Sequence, residues 1–170
     1  MGSTKKIFDM PAKTTKMIRL NLPPFEIRLS GTRERMKIFD PLRRRYVALT
    51  PEEWVRQHFV NYLINHLGYP APLLANEVQL AVGSKHLRAD TVLYSREMRP
   101  RMIVEYKAPN IAITPDVFAQ IATYNLLLHV DYLVVSNGME HFCSRANYST
   151  GQLEPIAEIP TYDQIELPDL

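Results

Sequence analysis

Cysteine is nearly missing from this chain. A single one, Cys143, stands among 170 residues, so no intramolecular disulfide is available and nothing argues for an oxidising compartment; a cytoplasmic protein is the expectation. Also missing is any apolar run near the roughly 18 residues that a membrane span needs. Lys5, Lys6, Lys13 and Lys16 near the N-terminus are followed by no apolar segment, which argues against a secretory signal. No internal repeat or low-complexity stretch is present. What remains, 46% apolar and 22% charged residues in 19.6 kDa, is the composition of one globular domain with a core of ordinary size.

Charge is balanced overall and lopsided along the chain. Residues 1–50 hold 12 Lys and Arg against 4 Asp and Glu, a surplus of +8, and residues 51–170 carry the opposing −6, leaving the net +2. Arg43, Arg44 and Arg45, with Arg33, Arg35 and Lys37, form either a field for nucleic-acid phosphates or a solvated basic hairpin; charge alone does not separate the two. The last 20 residues hold five acids and no base, interrupted by Pro155, Pro160 and Pro168, as in a surface wrap or a loosely ordered tail.

The patterning predicts a frayed arm over 1–18, one domain over 19–160 and an acidic tail over 161–170. Within the domain, runs at 25–29, 35–39 and 45–49 read as a small antiparallel meander over 19–49, followed by the core over 50–145. Thr50-Pro51-Glu52-Glu53 opens a helix: Thr50 as N-cap, Pro51 at the first helical position, Glu53 as the reciprocal capping partner. That helix should reach about Leu67 and stop at Gly68. Strands are expected at 77–82, 88–94 and 102–107, a second helix from Thr114-Pro115 to about His129, then a strand at 132–136, an Asn137-Gly138 turn and a return strand at 140–144. A helix between two strands permits a parallel crossover, so the fold class is α/β (α+β), a mixed central sheet flanked by helices.

One strand is chemically odd. Residues 102–107 are apolar enough for a central position, yet they carry Glu105 and Lys107, which at spacing two share a face. Asp90 likewise interrupts a core-like run, and hairpin pairing would bring it near Glu105. Charges there are costly unless they pair or hold a metal. Two carboxylates with a backbone carbonyl suit an oxygen-seeking Mg²⁺ or Mn²⁺. His141 and Cys143 make only two ligands, and His58, His66, His86 and His129 lack ligand spacing, so a packing role is expected of the pair. Trp54 is expected in the core or at its rim.

Arg88-Ala89-Asp90, then Val104-Glu105-Tyr106-Lys107-Ala108-Pro109, resembles the D…ExK signature of the PD-(D/E)XK nuclease superfamily. With Thr50 to Gln57, Gly68-Tyr69-Pro70, Val117 to Ile121 and Val134 to Gly138, the ordered set is similar to the N-terminal nuclease domain of type I restriction enzyme R subunits over roughly residues 20–160. The resemblance implies a restriction-endonuclease-like core and metal-dependent hydrolysis of DNA phosphodiester bonds. Asp90 and Glu105 would be metal ligands, with the Tyr106 carbonyl as a third, and Lys107 would stabilise developing negative charge. Gln120 and Tyr124 match a Q-x-x-x-Y motif whose members orient the active site or touch the DNA backbone, alongside Arg43, Arg44 and Arg45 as candidate DNA contacts. The first helix supplies a further acid in such enzymes, Glu52 or Glu53; on a helical wheel Glu52 aligns with the inward stripe of Val55, Phe59 and Leu63, and it is the choice here. The 170 residues contain no G-x-x-x-x-G-K-[ST] phosphate loop, so ATP-driven translocation is not expected of them. The implied partners are DNA and proteins of a restriction or repair system; an oligomer is compatible. The alternative is a catalytically silent nuclease-like fold that binds nucleic acid or serves such a complex.

Overall fold

The computed structural model describes residues 17–166. Residues 1–16 of the expected arm and 167–170 of the expected tail lie outside the described residues. The order of elements is β1 Leu29–Thr32, β2 Arg35–Asp40, β3 Arg45–Ala48, α1 Pro51–Asn65, β4 Leu74–Val82, β5 Lys85–Tyr94, β6 Pro100–Tyr106, α2 Pro115–Leu128, β7 Tyr132–Ser136, β8 His141–Asn147, β9 Gln152–Ile156 and α3 Tyr162–Glu166.

β1, β2 and β3 form the antiparallel meander. Its first strand begins where the expected one ended: Ile27 is buried and the Phe25 ring stands edge-on to His58, so the alternation at 25–29 records packing, while pairing starts at Leu29 with Ile38. Gly31, inside β1 opposite Met36, has φ +93, and an added Cβ there would lie 2.2 Å from the Arg35 carbonyl oxygen; no other residue fits.

The second sheet has the order β4-β5-β6-β7-β8-β9. All its pairings are antiparallel except β6 with β7, whose parallel register is reached by crossing over through α2. β9 was not expected from the sequence because Pro155 sits inside it. At the sheet edge, paired among the described residues with β8 alone, the strand tolerates a residue without an N–H. Beyond it Tyr162 and Ile165 of α3 enter the core, and the Tyr69 hydroxyl donates to the Pro160 carbonyl, so the described part of the acidic segment is a docked wrap.

α1 starts as its capping residues dictate, with the Thr50 hydroxyl accepting the Glu53 N–H at 3.0 Å. Every residue from Glu53 to Val60 is buried, because the meander packs on one side of the helix and the six-stranded sheet on the other. Alternation along β6 then divides the core. Met102, Val104 and Tyr106 join Val55, Phe59 and Leu63 of α1, whereas Ile103 joins Ile121 and Tyr124 of α2. Glu105 and Lys107 continue the second series, which aims them at the α2 side of the sheet. Among the described residues no helix is long and apolar enough to cross a membrane.

Candidate active site

A cleft of about 550 Å³ opens at the end of β6. Glu52, Asp90, Glu105, Tyr106, Lys107, Gln120 and Tyr124 all line it, brought together from α1, β5, β6 and α2. Gln79, His86, Leu87 and Arg88 of the β4–β5 hairpin complete its wall; none of the four is a site candidate in the sequence, where Arg88 figures only in the motif before Asp90.

Asp90 sits where the sheet stops being regular. The β5–β6 register runs only as far as Thr91 with Val104, and beyond it Asp90 Oδ2 accepts the Tyr106 backbone N–H at 2.8 Å, so the side chain replaces a ladder bond. On the other flank the β4–β5 partners step from Asn76–Thr91 to Val78–Ala89, skipping Glu77 and Asp90. Glu77 has φ +59, a left-handed backbone that costs a non-glycine residue about 1–2 kcal/mol. Asp90 Oδ1 accepts from Arg56 Nη2 at 2.9 Å. Burial pushes the Asp90 pKa up, beyond what Arg56 and the Tyr106 N–H pull down, and Glu77 adds to the rise.

Glu105 is 5% exposed. Its Oε1 lies 3.5 Å from Lys107 Nζ and 3.5 Å from Gln120 Nε2, and its Oε2 is buried without a hydrogen-bond partner. Burial first, then the Asp90 charge, push its pKa up to about 7 against the pull of Lys107. Gln120 also faces Lys107 Nζ and the Tyr124 hydroxyl, each at 3.4 Å. These contacts are at the long end of hydrogen bonding. Among the described residues no group of three or more His, Cys, Asp and Glu is arranged to hold a metal. The oxygen set that is present still fits Mg²⁺, which is commonly held by one or two carboxylates and keeps several waters: Glu105 Oε2 is an unsatisfied buried carboxyl oxygen in the same cleft as the partly buried Asp90.

The neighbouring helix acids part ways. Glu52 is exposed and lines the cleft, so the expected inward stripe does not include it: at the second helical position it projects past the core into the opening. Glu53 is buried, and the expected capping box does not close through its carboxylate. Instead Oε1 accepts from Arg43 at 2.7 Å and Gln57 at 2.8 Å, and Oε2 from Arg56 at 2.7 Å; two cations outcompete one backbone N–H.

Arg43, a candidate DNA contact, is engaged within the protein. Its guanidinium is held by Glu53 and by Asp40, which is fully buried. Burial alone would raise the Asp40 pKa, but bonds from the Arg43 N–H, Asn76 and the Arg43 guanidinium hold it below the ordinary value. Arg44 and Arg45 are exposed and do not line the cleft. A second chain of bonds runs from Asp40 through Asn76 and Thr91 to the Tyr106 hydroxyl, so the meander reaches the site by two routes. His141 and Cys143 make no metal pair: the imidazole contacts Ser136 Oγ at 2.8 Å and the Asn21 carbonyl at 3.1 Å, and Cys143 is buried. Trp54 is in the core, its Nε1 donating to the Ile18 carbonyl at 3.1 Å.

Arg56 and Glu77 were missed by sequence reasoning. The available signal was a charged residue three positions after Glu53 inside a helix otherwise rich in apolar side chains.

Over residues 51–160 the sequence matches the family model of the type I restriction enzyme R protein N terminus. The meander precedes that span. Among solved structures, a fragment assigned as an HsdR subunit of a type I restriction enzyme from Vibrio vulnificus YJ016 aligns over 69% of this chain at 22% identity and a TM-score of 0.49. The match takes in 24% of that chain, so this chain spans about a quarter of its length. No curated protein matches.

Proposed function

The chain belongs to the family of the type I restriction enzyme R protein N terminus, and from that premise we propose that it is a Mg²⁺- or Mn²⁺-dependent nuclease domain that hydrolyses DNA phosphodiester bonds. The observation that carries the reading is the Glu105 carboxylate, buried, half unsatisfied and set beside Asp90 in an open cleft. Asp90, Glu105 and the Tyr106 carbonyl would hold the ion. When bound, it supplies Lewis-acid neutralisation of the scissile phosphate and a more acidic water.

The rest belongs to the side chains. Lys107 presents a fixed positive charge beside the acids, where the phosphoryl oxygens gain charge on the way to the transition state. Gln120 faces both Lys107 and Glu105 and keeps their separation. The Tyr106 N–H and Arg56 fix the two oxygens of Asp90, so the acid is oriented before substrate arrives. Glu52, at the cleft edge, adds negative charge on the side of α1. On the hairpin wall, Arg88, paired with Glu77 through Nε, brings a guanidinium beside the cleft for a backbone lying in it. Proteins of a restriction or repair system are the partners this reading implies.

The test is cleavage of supercoiled plasmid and of linear single- and double-stranded DNA with Mg²⁺ or Mn²⁺, comparing wild type, Lys107→Ala and an EDTA control. Metal-dependent nicking or degradation that falls about a hundredfold or more in Lys107→Ala is the expected result. Folded protein that neither cleaves nor binds Mn²⁺ would overturn the reading in favour of a silent nucleic-acid-binding fold.

A further inference from the structure

The carboxylates around Asp90 are not equally provided for. Arg56, with 6% of its side chain exposed, touches three of them: Glu53 at 2.7 Å, Glu77 at 2.6 Å and Asp90 at 2.9 Å. Its Nη2 is shared by Glu77 Oε1 and Asp90 Oδ1, so the opposed acids of β4 and β5 converge on one nitrogen. An arginine keeps its charge in such a place. Glu77 holds its left-handed backbone while its carboxylate spans Arg56 and, at 2.6 Å, Arg88; the ion pairs sustain a conformation that β4 would otherwise not adopt. On the opposite flank of Asp90, Glu105 Oε2 is buried and has no partner.

We propose that Arg56 is a built-in cation occupying the inner half of this acidic cluster, so that the cleft accepts one divalent ion, between Asp90 and Glu105, and Glu77 serves Arg56 rather than a second metal. A second ion would need the Asp90 and Glu77 oxygens that Nη2 already engages, and it would sit against a fixed positive charge where solvent screening is weak. The inference rests on the proposed metal-dependent reading and goes beyond it to the number of ions and the role of each acid. Arg56 is a positioning residue, acting through Asp90.

The test is a Mn²⁺ titration of the full chain, with free Mn²⁺ read by electron paramagnetic resonance and no activity measured. Wild type is expected to bind one Mn²⁺, Glu77→Gln to bind one with affinity within threefold, and Asp90→Asn to bind at least thirtyfold more weakly. Arg56→Met combined with Glu53→Gln removes one charge of each sign, frees Asp90 Oδ1 and Glu77 Oε1, and is expected to raise the stoichiometry to two. Two ions in wild type, a loss of tenfold or more in Glu77→Gln, or one ion in the folded double variant would each overturn the assignment. Glu77→Gln decides the matter alone if the double variant does not fold. Absence of any Mn²⁺ binding by wild type would overturn both this inference and the metal-dependent reading; two ions would overturn only the inference.

Discussion

The two flanks of Asp90 are built on opposite terms. On the α1 side Glu53, Arg56, Gln57 and Arg43 form a buried set of bonds of 2.7–2.8 Å in which both Glu53 oxygens are occupied. On the α2 side Glu105, Lys107, Gln120 and Tyr124 stand 3.4–3.5 Å apart, and one Glu105 oxygen is bare. The first arrangement holds the fold and aims Asp90; the second leaves one oxygen of a buried carboxyl without a partner. A protein tolerates such a deficit where function uses it, and the saturated flank keeps the slack one in place.

This contrast is sharpest between adjacent residues. Glu53→Ala takes one carboxylate from each of two buried arginines, leaving Arg56 to Glu77 and Asp90 and Arg43 to Asp40, and is expected to cost about 3 kcal/mol, whereas Glu52→Ala, at an exposed position, should stay within about 0.5 kcal/mol. Urea unfolding midpoints of the two variants measure the difference, and similar values would dissolve the distinction between the flanks.

A smaller effect of opposite sign is expected at Glu105. Its pKa is about 7 in the folded chain against an ordinary 4.5, so the folded state holds the proton more tightly and stability falls as pH rises from about 4.5 through 7. In EDTA at pH 8, Glu105→Gln removes an unsatisfied buried charge and should stabilise the protein by roughly 1–3 kcal/mol. The gain should fade toward pH 4.5. A destabilised Glu105→Gln at pH 8 would mean that the carboxylate is satisfied after all.

The smallest effect concerns a group on the saturated side. His58 is buried against Trp54 and Phe25, and burial lowers its pKa from 6.5 despite the contact of Nδ1 with the Trp54 carbonyl. Its neutral form therefore contributes stability that is present above pH 6.5 and lost as pH falls through the lowered value. Calorimetric Tm profiles from pH 8 to 5 should descend less steeply on the acid side in His58→Gln than in wild type.

Much of this was legible in the chain. The Thr50-Pro51 start of α1, the crossover helix between two strands and the shared face of Glu105 and Lys107 all follow from local rules. Asn137 likewise turns the chain as its type suggests, its Oδ1 accepting the Met139 and Glu140 N–H groups at 2.9 and 2.8 Å. The helical wheel failed for Glu52 and Glu53 because α1 has no solvent face over Glu53–Val60; a wheel presumes one. β9 was missed because a proline disqualifies a strand only if the strand is internal, and its edge position is a tertiary fact.

The sequence by itself determined which atoms were available: Asp90, Glu105 and Lys107 at spacings that strands convert into proximity, and a helix start that carries Glu52 to their edge. Only the tertiary structure decided which charges are used up. Arg43, Glu53, Arg56, Glu77 and Asp90 come from four separate places in the chain, the β2–β3 turn, α1, β4 and β5, and the partner that a buried charge selects depends on distance and desolvation in space. Neither quantity is written in the local order of residues.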